Sequence, residues 1–291
     1  MKLSSTLLRA GAVVALGLVG AGTAWAQAST LYGITFFDNQ LIKIDPATGS
    51  GSLVASLSDS VSPYGVGFLG QKLYTFDSGT DSIREINRST GAVSSSINIG
   101  VSNILGEGDL AFRSDGIGFL SSALTSDFNV ANDLYKFDLT SGTSMRIGTT
   151  DVVLDGMVFV GNKLYAIGQE ADATLYLVDQ NTAALTAVGS LGIQNNSPFA
   201  ALTVDASGQL FGAINDRLYS IDKTTGLASE LNADVLDTGY GSVSGLAFSP
   251  ASPLSAVPEP STYGIVGAGM LMLVSYVRKK RTQTKTATVA G

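Results

Sequence analysis

The chain of 291 residues has no cysteine and no histidine. The first absence excludes disulfides, thiolate metal sites and Cys nucleophiles. The second excludes imidazole ligands and Ser-His-Asp triads. Oxygen donors alone remain for any metal. Charge of either sign is sparse, at 14% of residues, and basic residues are outnumbered, 17 against 24 acids. Long apolar runs are confined to the two ends. At the N-terminus, Lys2 and Arg9 precede the apolar stretch Ala10–Ala21, followed by Ala24-Trp25-Ala26. Small residues at Ala24 and Ala26 are what a signal peptidase reads, so residues 1–26 are expected to be a cleaved secretory signal. An uncleaved anchor is the alternative.

Near the other end, Tyr263–Val277 is apolar or small apart from Ser275, and Arg278-Lys279-Lys280-Arg281 follows. These 15 residues would span about 22 Å as a helix, short of the ~30 Å hydrocarbon core. Snorkelling cations and interfacial residues can close that gap, and the basic cluster is expected to stay cytoplasmic. Immediately before lies Val257-Pro258-Glu259-Pro260-Ser261-Thr262. Its prolines keep the backbone extended and open to a processing enzyme.

This tripartite tail, Pro258-Glu259-Pro260 followed by apolar helix and basic cluster, resembles the PEP-CTERM sorting signal. The resemblance covers about the last 35 residues. It implies removal of the tail by an exosortase and a Gram-negative-type bacterium. It also implies a product associated with exopolysaccharide, biofilm or the outer surface, after a transient stay in the inner membrane. Thr282–Gly291 extends beyond the basic cluster, where such tails usually stop.

Without residues 1–26 and 258–291, 231 residues remain, enough for one domain with a substantial core. The ends take seven of the 17 basic residues and one of the 24 acids, leaving ten against 23, a net charge of −13. Such a charge argues against nucleic acid and anionic membrane surfaces.

The middle is a repeat. Leu41-Ile-Lys-Ile-Asp45, Ile83-Arg-Glu-Ile-Asn87, Leu134-Tyr-Lys-Phe-Asp138, Leu175-Tyr-Leu-Val-Asp179 and Leu218-Tyr-Ser-Ile-Asp222 recur at intervals of 42, 51, 41 and 43 residues. A period near 40–45 residues with strand-like content marks propeller blades. Four of the five following turns end in Gly (Gly49, Gly91, Gly142, Gly226), which supplies a left-handed residue cheaply. The fourth has Ala183 and is expected to be strained or differently turned. Strands precede and follow each motif, four per repeat. The first repeat lacks its opening strand, and Ser244-Gly-Leu-Ala-Phe248 supplies it from the far end. The expectation is an all-β, five-bladed β-propeller over 27–257, closed by pairing of its N- and C-terminal strands. A signal helix and a C-terminal transmembrane helix would flank it. An open β-solenoid is the alternative. The repeats also resemble bacterial extracellular propellers with an "LY-x-I-D-x-x-T-G" pattern, over about residues 31–250.

In this register, loops between second and third strands and between blades share one face, the top. They hold 15 of the domain's 23 acids and no Lys or Arg. An acidic face attracting cations is one reading, with Ca²⁺ the natural candidate. The preference of Asp and Asn for turns is the other. The longest insert, Ser121–Asp133, offers Asp127, Asn129 and Asp133 as candidate oxygen ligands, although no EF-type glycine accompanies them, and a merely tolerated insertion is the other reading. Asn195-Asn196-Ser197 offers amides to a sugar. The tyrosines at 32, 74, 135, 165, 176 and 219 are expected to pack blades.

Three functions fit. The first is a non-catalytic surface or matrix protein associating with exopolysaccharide, with Ca²⁺ as a candidate ion. The second is a lectin-like propeller. The third is a glycoside hydrolase using Glu107, Asp109 and Glu170 at the channel mouth. No catalytic constellation stands out, so the first is preferred.

Overall fold

Strands in this chain fall where apolar residues cluster between turn signals, and they assemble in the order the repeats dictate. The computed structural model describes residues 29–57, 62–101, 108–123, 132–196, 199–231 and 242–250. The expected signal peptide with Ala24 and Ala26, and the tail with Pro258, Glu259 and Pro260, lie outside them. Among the described residues no helix is long and apolar enough to cross a membrane.

The described residues form 20 strands, in chain order β1 (Leu31–Thr35), β2 (Gln40–Ile44), β3 (Gly51–Ser56), β4 (Pro63–Leu69), β5 (Lys72–Asp77), β6 (Ser82–Ile86), β7 (Val93–Asn98), β8 (Leu110–Phe112), β9 (Ile117–Ala123) and β10 (Asn132–Asp138). They continue as β11 (Thr143–Thr149), β12 (Leu154–Val160), β13 (Lys163–Gly168), β14 (Asp172–Val178), β15 (Leu185–Gln194), β16 (Ala200–Val204), β17 (Leu210–Ile214), β18 (Arg217–Ile221), β19 (Ala228–Glu230) and β20 (Val243–Phe248). They form five antiparallel four-stranded sheets: β20-β1-β2-β3, β4 to β7, β8 to β11, β12 to β15 and β16 to β19. The last strand thus completes the first blade, with Leu31 opposite Phe248 and Gly33 opposite Leu246.

The ring closes. Inner strand β20 lies on β4, β4 on β8, β8 on β12, β12 on β16 and β16 on β20. One hydrophobic cluster fills each junction, including Leu31, Ile42, Ala201, Ala213, Leu218 and Leu246 between the fifth blade and the first. Burial falls outward, from β1, buried throughout, to β11, mostly exposed or half-exposed. A strand between two sheets needs apolar residues on both faces, whereas an outer strand is half solvated. Aromatic pairs staple successive blades: Tyr32–Phe68, Tyr74–Phe112, Phe119–Phe159 and Phe211–Phe248. Tyr32, Tyr74, Tyr165 and Tyr219 are buried in this packing.

Five blades set the inner strands very close. A Cβ at Gly65, Gly156 or Gly245 would lie 2.6–2.8 Å from the backbone nitrogen of Leu110, Leu202 or Val66 on the next blade. Only glycine permits that approach.

The bottom turns repeat faithfully. Each Asp or Asn accepts through Oδ1 from the backbone two residues on, at Ala47, Ser89, Thr140, Asn181 and Thr224. The fifth residue is left-handed every time, Ala183 included, with φ of 64°. Its turn is therefore the same as the others, not a different one. The methyl of Ala183 is fully buried, facing Gly148 of the preceding blade. In the first junction the pair is inverted, with Gly91 facing Ala55, where a second Cβ would come within 2.6 Å. At these two junctions one partner must be glycine. At Gly226, whose φ is 83°, a Cβ would sit 2.5 Å from the Gly189 carbonyl. Gly226→Ala is accordingly expected to destabilise the domain by about 1–3 kcal/mol in denaturant unfolding.

The insert expected over Ser121–Asp133 is shorter in structure. Its arms continue the β9–β10 ladder, with Ala123 opposite Asn132. Ser121 and Ser122 are fully buried strand residues. Ser121 Oγ accepts from the Asp109 amide (2.8 Å) and donates to the Leu154 carbonyl (3.2 Å).

Candidate functional site

The top loops place chemistry at the mouth of the central channel. The starts of four inner strands, β4, β12, β16 and β20, contribute Tyr64, Asp155, Ala200 and Ser244, which line a small space with Phe36 and Phe199. The enclosed space is about 10 Å³, room for roughly one water. Deeper in, the channel is apolar, lined by residues such as Val66, Leu110, Met157, Leu202 and Leu246, with a cavity of about 140 Å³. The space directly beneath the mouth is too small to admit a sugar ring. Such a ring would have to lie on the mouth.

Above the mouth stands a cluster of three phenylalanines. Phe36 and Phe37 occupy the β1–β2 loop, and Phe199 immediately precedes β16. Phe36 and Phe199 stack at 4.6 Å and 31°, bridging the first and fifth blades. Phe37 meets both edge-on, at 86° and 87°. The loop is fixed: the Phe36 amide donates to the Ser242 carbonyl (3.0 Å), and the Gln40 amide to Thr35 Oγ1 (3.0 Å). Asn39 turns the chain in the left-handed region, with φ of 47°. Phe37 is 67% exposed, more than any other large apolar residue described. Sequence reading missed this cluster. The Phe36-Phe37 doublet ahead of Asp38-Asn39 was the one visible trace.

The carboxylates singled out from sequence have other work. Asp109 is fully buried. Its Oδ2 accepts from the Met157 amide (2.6 Å) and its Oδ1 from the Leu110 amide (2.7 Å). Val66 supplies a third backbone hydrogen bond. The side chain thus ties three inner strands, β4, β8 and β12. Burial pushes its carboxyl well above the usual range, against the pull of those three amides. Glu170 accepts from the Tyr176 hydroxyl at 2.7 Å. Burial, and then this bond, push the Tyr176 phenol up to about 12. Glu107 lies outside the described residues.

Asp127 and Asn129 also lie outside them. Asp133 is gripped by Arg146, with Nε and an Nη each 2.6 Å from a carboxylate oxygen, and by Thr149 at 2.9 Å. A Ca²⁺ at Asp133 would have to displace that fork. Among the described residues no three acidic groups cluster as a metal site. Burial opposes ionisation of Asp133, but Arg146 and Thr149 outweigh it and hold its carboxyl below the usual range. A depressed folded pKa adds stability above the unfolded value, near 3.9, which is lost as pH falls through the folded one. Asp133→Asn should therefore cost about 1 kcal/mol at neutral pH, discounted for the half-exposed Arg146. Urea unfolding at pH 7 and pH 2 should show that difference shrink in acid.

Other top acids have structural reasons as well. Asp77, fully buried, accepts from the Ser62 and Gly79 amides, Thr80 and Arg84. Asp81 and Asp216 are left-handed turn residues, as is Asn215. The Asn196 amide donates to Asn215 Oδ1 at 2.9 Å, which anchors the end of β15; Ser197 lies outside the described residues. The turn preference thus accounts for several of the acids, and strand arginines neutralise Asp77 and Asp133. The larger open cavities lie on the opposite face, about 620 Å³ beside Arg113, Lys163 and Gln180 and about 630 Å³ beside Gln209 and Lys223. Several of their polar groups bond one another: Arg113 to Asp115 and Gln180, Lys223 to the Gly208 carbonyl.

No protein-family model matches the chain, and no curated protein matches it in sequence. Among solved structures it is similar to a chain of the nidogen/laminin complex, at 14% identity over 78% of this chain and 100% of that one, with a TM-score of 0.52. A gluconolactonase of Xanthomonas campestris aligns over 76% of this chain and 80% of its own, also at 14% identity, with a TM-score of 0.48. The likeness to the first is one of fold: this chain is an all-β propeller of five blades.

Proposed function

We propose that this chain is a non-catalytic propeller, exported to the cell surface or matrix, that associates with polysaccharide. The address rests on the signal-like N-terminus and the PEP-CTERM-like tail, with signal peptidase and an exosortase as processing partners. The observation that carries the non-catalytic reading is the use of Asp109. The acid best placed to serve a hydrolase at the channel mouth is spent holding three inner strands together. A carboxyl that is fully buried and holds three backbone amides is not presented to a substrate on the surface. Glu170 is likewise engaged by Tyr176. The test is a glycan array of the exported domain, with and without Ca²⁺, run beside a reducing-sugar assay on the same polysaccharides. Retention of a glycan without chain cleavage is expected. Release of reducing sugar that is lost in Glu107→Gln would replace this reading with a hydrolase.

A further inference from the structure

We infer that Phe37, backed by Phe36 and Phe199, is a stacking platform for one neutral pyranose ring at the channel mouth. This deepens the polysaccharide reading above and rests on it. A lone exposed apolar side chain needs no explanation, but Phe37 is the outermost of three aromatic rings packed together at the channel mouth. Here the ring is 67% exposed yet fixed by two edge-to-face contacts and by a hydrogen-bonded loop. A preset ring loses little freedom when a ligand covers it.

The surroundings select the occupant. A stable protein partner needs roughly 800 Å² on each side. The other exposed large apolar residues described are Leu53, Met145 and Leu227. They sit on outer strands or next to a bottom turn, so they do not extend the patch. One aromatic face matches one six-membered ring, whose axial C–H groups present an apolar face of similar size. Charge selects further. Asp38 follows Phe37 directly, and neither the Phe36–Asn39 loop nor the segment Asn195–Phe199 contains a Lys or Arg. Uronate and sulfated polymers would meet the Asp38 charge and no basic residue in these two segments, whereas a neutral hexose polymer meets no repulsion. Asp38 can accept hydroxyl hydrogen bonds at the ring edge, and the tiny space beneath the mouth keeps the sugar on the surface.

The experiment is calorimetric titration of the exported domain with cellohexaose, a β-1,3-glucohexaose and an alginate hexamer. Phe37→Ala and Phe37→Tyr are compared with the parent. The expected result is binding of a neutral hexamer, weakened about ten-fold or more by Phe37→Ala and kept by Phe37→Tyr, since aromatic contact area carries the interaction. The melting temperature of Phe37→Ala should match the parent. Neutral-glycan binding unchanged in Phe37→Ala overturns the platform and leaves the polysaccharide reading standing. Binding of alginate alone also overturns the platform. No binding to any glycan overturns both. A change of oligomeric state in Phe37→Ala, read by light scattering, would make the patch a contact between copies and overturn the sugar assignment.

Discussion

Asp109→Ala should destabilise the domain by about 3–5 kcal/mol, because three buried amides lose their acceptor at once. The amides belong to Val66, Leu110 and Met157, on three successive inner strands. Each unsatisfied donor costs about 1–3 kcal/mol. Part of that is returned, because a buried carboxylate is itself expensive to desolvate. Asp109→Asn keeps one acceptor oxygen but turns an NH₂ toward amide donors, so it should fall between the parent and the alanine variant. Urea unfolding followed by circular dichroism measures the series. If Asp109 instead served catalysis, its removal would leave stability nearly unchanged or raise it, as strained active-site groups do when relieved.

Stopping the chain after residue 242, so that β20 is lost, should abolish cooperative folding. That strand buries Val243, Leu246 and Ala247 and carries the Phe248 contact with Phe211. Burying a Val or Leu side chain is worth about 1.5–3 kcal/mol, so two of them with Ala247 and Phe248 reach about 5 kcal/mol or more. A domain is stable by about 5–15 kcal/mol in all. The loss also bares the edge of β1 and leaves β4 and β16 facing a gap, an invitation to edge-to-edge association. Size-exclusion chromatography should show aggregates or an expanded chain, and the thermal transition should disappear.

The blades could be read from the chain because each repeat carries the same two local signals, an apolar strand and an Asx-initiated turn ending in a left-handed residue. Closure could be read because the first repeat lacks the strand that Ser244–Phe248 supplies. Other features depend on three-dimensional neighbours. Serine at 121 and 122 looks like loop, yet both are buried strand residues, Ser121 bonded to the Asp109 amide and the Leu154 carbonyl. Asp109 itself looks like a free acid among top loops until the inner strands come together. Phe36 and Phe199 are 163 positions apart, and only the junction between the first and fifth blades stacks them. The acid-rich top face overstated the available charge, since the arginines that pair with Asp77 and Asp133 sit on strands, at positions 84 and 146. Ala183 shows the reverse: a left-handed alanine tolerated because Gly148 opposite leaves space.

A cysteine-free chain makes ring closure directly measurable. The Ser249 amide donates to the Thr30 carbonyl at 2.8 Å, and the Thr30 amide to Ser249 Oγ at 2.8 Å. Thr30 and Ser249 extend the Leu31–Phe248 register by one position, where directly opposite residues have Cα atoms about 4.5–5.5 Å apart, inside the disulfide range of about 4.4–6.8 Å. Thr30→Cys with Ser249→Cys should oxidise within the folded monomer to a single cross-linked species, which runs faster on a non-reducing gel and melts higher than its reduced form. Free thiols that persist in the folded protein, or cross-links that form only between molecules, would mean that the two ends of the ring do not meet.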